Sequence, residues 1–192
     1  MNYLEQNQVA EVAAELNHGQ IAAVPTETVY GLAIKHNDEP AIKRLIKLKN
    51  RTADSGKVFA LMLANQNQIG DFAIENDLSK QLSQNHFPGE LTLVLPKNPK
   101  FKNPYFNNFD TIGIRIPKHD FMLSLLKMTG PLIVTSANLR GEVPALTSDQ
   151  AAELPVDAVV VGQAGGGQPS TVAKVAGGGR LVILRQGDLV IQ

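Results

Sequence analysis

The amino-acid sequence predicts an α/β fold, with a twisted sheet of mixed parallel and antiparallel strands and flanking helices. Short apolar runs of strand length alternate along the chain with segments whose apolar residues recur at helical spacing. Two apolar runs, 172–175 and 181–184, are joined by a glycine-rich turn, which favours a hairpin and therefore a mixed sheet. Because the composition of the 192 residues does not change abruptly, we expect one domain over 1–192.

The composition excludes several classes of protein. The chain has 18 Lys and Arg, 18 Asp and Glu, and no cysteine. The lack of cysteine excludes zinc ribbons, iron–sulfur clusters, thiol catalysis and disulfide scaffolds. The balanced charge argues against attraction to nucleic acid by the overall field, although a local basic groove stays possible. Residues 1–16 lack the apolar run of a signal peptide, and no stretch approaches the ~20 apolar residues of a membrane span. We expect a cytoplasmic protein with no membrane partner.

The first half of the chain predicts helices and strands in alternation. Residues 9–16 place apolar side chains on one helical face, and this helix is expected to end at His18-Gly19. Pro40 suits the first turn of a second helix, whose apolar face extends to Ile46. A short third helix is expected around residues 78–82. The predicted strands are the apolar runs 21–24, 29–34, 58–63 and 91–95.

The second half begins with a loop over 96–110 that is rich in proline and asparagine. A helix is expected from Phe121 to Gly130, and Thr147 or Ser148 is expected to cap another that runs to Leu154. The glycine-rich run 162–167 resembles a phosphate-binding P-loop in its glycines but lacks the lysine that such a loop requires. The predicted strands are 111–116, 132–135, 158–161 and the two hairpin strands named above.

Polar side chains two residues apart follow several of these elements. Residues i and i+2 of an extended segment point in the same direction, so such a pair can face one ligand. Taken alone, each pair is better explained as a helix cap or as part of a turn. The pairs are Thr26 and Thr28, Lys49 and Arg51, and Ser136 and Asn138.

The strand 111–116 separates into two chemically different faces. Its isoleucines fall on one face, whereas Thr111, Gly113 and Arg115 fall on the other. A guanidinium beside a glycine that leaves room suits a clamp for a carboxylate or phosphate group. The alternative is that Arg115 merely faces solvent on an open sheet surface.

Further donors indicate an anion site. Ser170 follows a glycine-rich stretch that allows close approach of the backbone to a ligand, and Arg185 ends the last strand. Cations and hydroxyls without an evident nucleophile or histidine cluster are typical of phosphoryl or nucleotidyl transfer, in which positioning and charge stabilisation dominate. A local basic set contains Lys43, Arg44, Lys47, Lys49, Arg51 and Lys57.

These motifs resemble those of a known family. In this sequence they are Pro25-Thr26-Glu27-Thr28-Val29-Tyr30-Gly31-Leu32, Lys49-x-Arg51, Pro88-Gly89-x-x-Thr92, Ile114-Arg115-Ile116-Pro117, Thr135-Ser136-Ala137-Asn138 and Pro169-Ser170-Thr171-Val172. They occur in family order from about residue 6 to Gly187, so the chain resembles a threonylcarbamoyl-AMP synthase of the YrdC-like family. The length leads us to expect the single-domain form of this family.

The resemblance implies a YrdC-like sheet with an open, concave, basic cavity. It implies a nucleotidyltransferase that forms threonylcarbamoyl-AMP and pyrophosphate from L-threonine, bicarbonate or CO2, and ATP. The product would serve threonylcarbamoyladenosine modification of tRNA through a downstream threonylcarbamoyl-transferase complex. Mg2+ would accompany ATP rather than occupy a dedicated protein site.

The resemblance also implies roles for individual residues. Lys49 and Arg51 would be catalytic, in an exposed segment facing the cavity. Met62 stands where some members have a histidine near threonine. L-Threonine would contact Thr28, Arg115, Ser136 and Ser170. ATP would contact Arg51, Lys57, Thr111, Asn138 and Arg185.

Two other functions remain open on the sequence. The basic concavity of the family could make the chain a non-catalytic module that binds double-stranded RNA or tRNA, although aromatic stacking residues and net positive charge are lacking. The chain could also be a divergent paralogue acting on a related acyl-adenylate, because residues 52–58 depart from the family pattern. Pyrophosphate release that requires threonine, bicarbonate and ATP together separates the synthase from both.

Overall fold

A computed structural model of the chain confirms the predicted α/β class; it describes residues 1–50, 59–176 and 179–191. Its strands are β1 (Asn2–Leu4), β2 (Ala22–Val24), β3 (Gly31–Lys35), β4 (Ala60–Met62), β5 (Leu91–Pro96), β6 (Thr111–Arg115), β7 (Leu132–Ser136), β8 (Ala158–Val160), β9 (Thr171–Ala176) and β10 (Arg180–Arg185). Its helices are α1 (Val9–Asn17), α2 (Glu39–Leu48), α3 (Ile69–Phe72), α4 (Asp77–His86), α5 (Asp120–Thr129) and α6 (Ser148–Ala152).

The described strands form one mixed sheet in the order β1-β8-β2-β3-β7-β4-β6-β5-β9-β10. Strand β8 runs parallel to β1 and β2, β4 runs parallel to β6, and β5 runs parallel to β9. The remaining neighbours are antiparallel, including the β9–β10 hairpin that the glycine-rich turn predicted.

Local sequence signals account for the helix boundaries. Asp38 caps α2 by accepting a hydrogen bond from Ala41 N at 2.9 Å, and Pro40 lies in the first turn as predicted. Thr147 caps α6, and Gly130 ends α5 with a positive φ of 75°. The sequence did not reveal β1 or α3, because each is too short for its periodicity to be distinctive.

Side chains alternate between two hydrophobic layers. On one face, Leu32, Leu61, Ile114 and other residues of the larger core pack with α2, α4 and α6. On the opposite face, α1 and α5 cover the part of the sheet formed by β2, β3, β7 and β8. The two helices do not cover the rest of that second face, which is formed by β5, β6 and β9. The described residues leave a cavity there.

Within the described ranges, no helix has both the length and the apolar character needed to cross a bilayer.

Candidate anion-binding cavity

A cavity lined by described residues has a volume of about 570 Å³ and a floor made by alternate residues of five strands. Register explains this floor: Lys174 pairs with Val94, Val94 with Gly113, Gly113 with Ala60, and Ala60 with Val134. All five line the cavity. The predicted two-faced character of β6 is confirmed, because Ile112 and Ile114 lie in the core while Thr111, Gly113 and Arg115 face the cavity.

Arg115 is buried at the cavity wall rather than exposed to solvent. Its Nη2 donates to Thr28 Oγ1 at 2.9 Å and forms an ion pair with Glu27 Oε1 at 3.0 Å. The same Glu27 oxygen accepts from the Lys118 backbone N–H at 2.8 Å. The end of β6 is therefore tied to the 26–28 segment, and the interpretation of Arg115 as a solvent-facing residue is wrong.

The hydrogen bonds of Thr26 fix the direction in which Thr28 donates. Thr26 Oγ1 donates to Val29 O at 2.7 Å, which uses its only hydrogen. The 3.0 Å contact between the two threonine hydroxyls must therefore have Thr28 as the donor. With its hydrogen used there and one lone pair engaged by Arg115, Thr28 has one lone pair left with which to accept from a ligand.

The glycine-rich run predicted to resemble a P-loop supports the 26–28 segment from behind. Gly165 N donates to Thr26 O at 2.9 Å, and Gly166 N donates to Thr28 O at 3.0 Å. A Cβ at Gly165 would lie 2.9 Å from Glu27 O, so only glycine allows this approach without a shift. The glycines thus serve backbone packing.

Ser170 and Arg185 form the opposite wall. Arg185 donates from Nε at 3.0 Å and from Nη2 at 2.7 Å to Ser170 O, while Ser170 Oγ is hydrogen-bonded to Thr92 Oγ1 at 2.9 Å. The pKa of Arg185 lies below its ordinary value, first because of burial and then because of the positive charge of Arg115. The two guanidinium groups therefore both line the cavity, and the charge of Arg115 reaches Arg185.

Lys49 lies behind the cavity wall, bonded to the segment that follows β7. Its Nζ donates to Ser136 O at 2.9 Å, Asn138 O at 2.7 Å and Asn138 Oδ1 at 2.6 Å. Asn138 Oδ1 also accepts from Ser136 Oγ at 2.7 Å. Lys49 is only 5% exposed, so the prediction of an exposed lysine facing the cavity is wrong. Lys49 is the C-cap residue of α2.

The cavity brings most of the predicted site residues together. Thr28, Thr111, Arg115, Ser136, Ser170 and Arg185 all line it. Asn138 does not line it but holds Ser136. Arg51 and Lys57 lie outside the described residues. The basic character of the cavity stays a prediction. Glu27 offsets the positive charge of Arg115, one of the cations that line the cavity.

Other lining residues were missed by the sequence reasoning. The period of two along β5 (LTLVLP) and β9 (TVAKVA) would have assigned them to one strand face, but only β6 was analysed in this way. They include Thr92, Val94, Val172 and Lys174, while Met62 lines the cavity from β4. In the described part of the chain, no group of three or more His, Cys, Asp or Glu side chains could hold a metal ion.

Comparisons with known proteins agree with this fold. The family model Sua5_yciO_yrdC, described as telomere recombination, matches residues 14–187. The threonylcarbamoyl-AMP synthase of Pyrococcus abyssi (strain GE5 / Orsay) is 31% identical over 78% of this chain, and that of Bacillus subtilis (strain 168) is 32% identical over 83%. The alignments cover 44% and 46% of those two proteins, so the chain spans less than half of their length.

A solved structure extends the likeness to three dimensions. The crystal structure of P. abyssi Sua5 complexed with L-threonine superposes with a TM-score of 0.82 at 29% identity, covering 96% of this chain and 56% of that one. Since the family match spans nearly the whole chain, this protein belongs to the Sua5/YciO/YrdC family.

Proposed function

We propose that the chain is an L-threonylcarbamoyladenylate synthase that uses L-threonine, bicarbonate or CO2, and ATP. The observation that carries the proposal is that Thr28, Arg115, Ser136 and Ser170 line one cavity with Thr111 and Arg185. Its volume of about 570 Å³ falls within the range of pockets that hold small ligands. The names of the P. abyssi and B. subtilis relatives and the L-threonine complex of P. abyssi Sua5 support the same activity.

Threonine would bind at the Arg115 end of the cavity. The guanidinium would attract the substrate carboxylate, using donors other than Nη2, whose two hydrogens are engaged by Thr28 and Glu27. Thr28 has an acceptor lone pair available, which suits the substrate's amino group. Ser136 and Ser170 would complete the polar surround from β7 and from the start of β9.

ATP would occupy the remainder of the cavity, with Thr111 and Arg185 as contacts. Lys49 and Asn138 would act by holding Ser136 in place, since their hydrogen bonds converge there. Arg51 and Lys57 remain proposed ATP contacts, and Arg51 remains a proposed catalytic residue. Mg2+ would be carried by the phosphates, because the described lining residues provide hydroxyl oxygens but no carboxylate.

The reaction would proceed in two steps inside this enclosure. The neutral amine of threonine combines with bicarbonate to form an N-carboxylate and water. A carbamate oxygen then attacks the α-phosphorus of ATP, and the bond between the α-phosphorus and the bridging oxygen breaks to release pyrophosphate. Arg115 and Arg185 supply positive charge near the reacting groups. Enclosure limits decomposition of the carbamate by water.

The structure gives less support to an RNA-binding module. Lys43 is paired with Glu39 at 2.6 Å, Arg44 with Asp157 at 2.7 Å, and Lys49 is buried. Burial makes Lys49 unavailable to phosphates, and the carboxylates partly offset the charges of Lys43 and Arg44. The proposal also includes a role in tRNA modification, contact with a downstream threonylcarbamoyl-transferase complex and a cytoplasmic location.

Pyrophosphate release by the purified chain tests the proposed function. We expect release only when threonine, bicarbonate and ATP are all present, with threonylcarbamoyl-AMP detected by mass spectrometry. Omission of any one substrate is the control. Pyrophosphate release that does not depend on threonine would contradict the proposed synthase activity and favour formation of a related acyl-adenylate. If no pyrophosphate is released, the proposed reaction with ATP has no support.

A further inference from the structure

Lys174 is a third cation in the cavity, and none of the family motifs includes it. Along β9, Ala173 and Val175 are buried in the core while Val172 and Lys174 line the cavity. Lys174 is half-buried. Within the described residues it makes no hydrogen bond or ion pair, whereas Arg115 is bonded to Glu27 and Arg185 to Ser170. Its ammonium group is therefore available to a ligand.

The register of the sheet places Lys174 away from the Arg115 end. Lys174 pairs with Val94 and Val94 with Gly113, so Lys174 lies two strands from β6. Arg115 lies two residues beyond Gly113 along β6. With strands ~4.8 Å apart and a rise of ~3.4 Å per residue, the Cα atoms of Lys174 and Arg115 are about 12 Å apart on the same face.

The floor between these two cations is formed by small or apolar residues, and the described part of it carries no competing charge. Gly113 has no side chain, and its neighbours across the sheet are Ala60 and Val94. The described lining residues include no carboxylate. A half-buried ammonium without a counter-charge favours an anion, and lysine binds phosphate groups as a point charge.

We propose that Lys174 binds the β- and γ-phosphates of ATP, the part that leaves as pyrophosphate. This rests on the proposed function, in which the α-phosphorus must lie beside the carbamate at the Arg115 end. Arg185 pairs across the hairpin with Val172, two residues from Lys174. Arg185 and Lys174 thus lie together on the β9–β10 side of the cavity, opposite Arg115 on β6, and the outer phosphates of ATP would extend toward that side.

Calorimetric titration of the whole chain with three ligands tests this placement. The ligands are pyrophosphate, AMP and a non-hydrolysable ATP analogue with Mg2+. We expect Lys174→Gln to weaken pyrophosphate and the analogue by about tenfold or more, because a charge-assisted contact is lost. The affinities for AMP and threonine should change by less than about twofold, and Lys174→Arg should keep most of the binding. Lys127→Gln, which removes an exposed charge from α5, is the matched control and should bind like the wild type.

Three results would overturn the proposal, and they differ from one another. Equal pyrophosphate affinity in Lys174→Gln and the wild type removes Lys174 from the phosphate site. An equal loss of AMP and pyrophosphate affinity places the lysine at the nucleoside part instead. Failure of the wild type to bind either the analogue or pyrophosphate removes the proposed synthase function as well. Thermal unfolding of each variant confirms that binding is compared between folded proteins.

Discussion

Arg115 and Glu27 form an ion pair at 3.0 Å in which the two side chains are only 6% and 12% exposed. Breaking a buried pair by removing one partner leaves an uncompensated charge, which costs more than the pair contributes. Arg115 therefore has two separable roles: it neutralises Glu27 in the protein, and it would attract the carboxylate of a substrate. Variants that treat the two residues together can distinguish these roles.

The first prediction concerns threonine binding by Arg115 variants. Arg115→Ala should weaken threonine about 30- to 150-fold, as expected for loss of a charged hydrogen-bonding partner, and should affect ATP far less. It should also lower the free energy of unfolding by roughly 3–5 kcal/mol, because Glu27 is left buried and unpaired. Calorimetry and urea unfolding measure the two effects.

The double variant Arg115→Ala with Glu27→Gln is the control for stability. It should recover part of the lost free energy of unfolding, since no buried charge remains, but it should not recover threonine affinity. Unchanged threonine binding in a folded Arg115→Ala protein would remove Arg115 from the substrate site.

The second prediction concerns Lys49, whose burial was not evident from the sequence. Lys49→Met should lower the free energy of unfolding by about 1–3 kcal/mol, because carbonyl and amide oxygens of the 136–138 segment lose their donor. Turnover should fall as well, since Ser136 loses its support. Lys47→Met, on the exposed side of α2, is the matched control and should change stability by no more than ~0.5 kcal/mol. Equal unfolding midpoints for the two variants would argue against a structural role for Lys49.

The sequence predicted the described strands well where apolar runs were long enough to be distinctive. It also assigned Arg115 to the correct face of β6, because alternation over five residues is a local property. It did not place Lys49 correctly. The i, i+2 rule predicts that Lys49 and Arg51 point the same way only where the backbone is extended, whereas Lys49 is the C-cap residue of α2. Glu27 was missed as a partner of Arg115 because their contact joins residues 88 positions apart in sequence.

The third prediction concerns the glycine-rich run behind the 26–28 segment. Gly165→Ala would place a Cβ 2.9 Å from Glu27 O, a contact that the backbone can relieve only by moving. We expect a loss of roughly 1–3 kcal/mol in the free energy of unfolding and weaker threonine binding. Gly167→Ala is the matched control, because no atom lies within 4 Å of its added Cβ. If both variants bind threonine like the wild type, the run does not position Thr28.

The last prediction concerns the pH dependence of stability. Burial lowers the pKa of His36, and the neighbouring charge of Lys35 lowers it further. Burial also lowers the pKa of His119, although Glu27 and Asp120 act in the opposite direction. Both imidazoles therefore favour the neutral form in the folded protein.

Above the ordinary pKa of about 6.5, folded and unfolded chains are both neutral at these positions, so no pH dependence of stability arises from them. Below it, the unfolded chain takes up protons that the folded chain resists, and stability falls with pH until the lowered pKa is reached.

His36→Phe isolates one of these contributions away from the cavity. The ring of His36 lies 6.1 Å from that of Phe72 and 6.0 Å from that of Phe101, so a phenyl ring meets an aromatic environment. The hydrogen bond from Asn103 Nδ2 to the His36 carbonyl, at 2.6 Å, is a backbone contact and is retained. Urea unfolding at pH 7.5 and 5.5 should show a smaller loss of stability for the variant than for the wild type. An equal loss in both proteins would mean that His36 titrates alike in the folded and unfolded chains, and the pH dependence would then have to arise from His119 or from carboxyl groups.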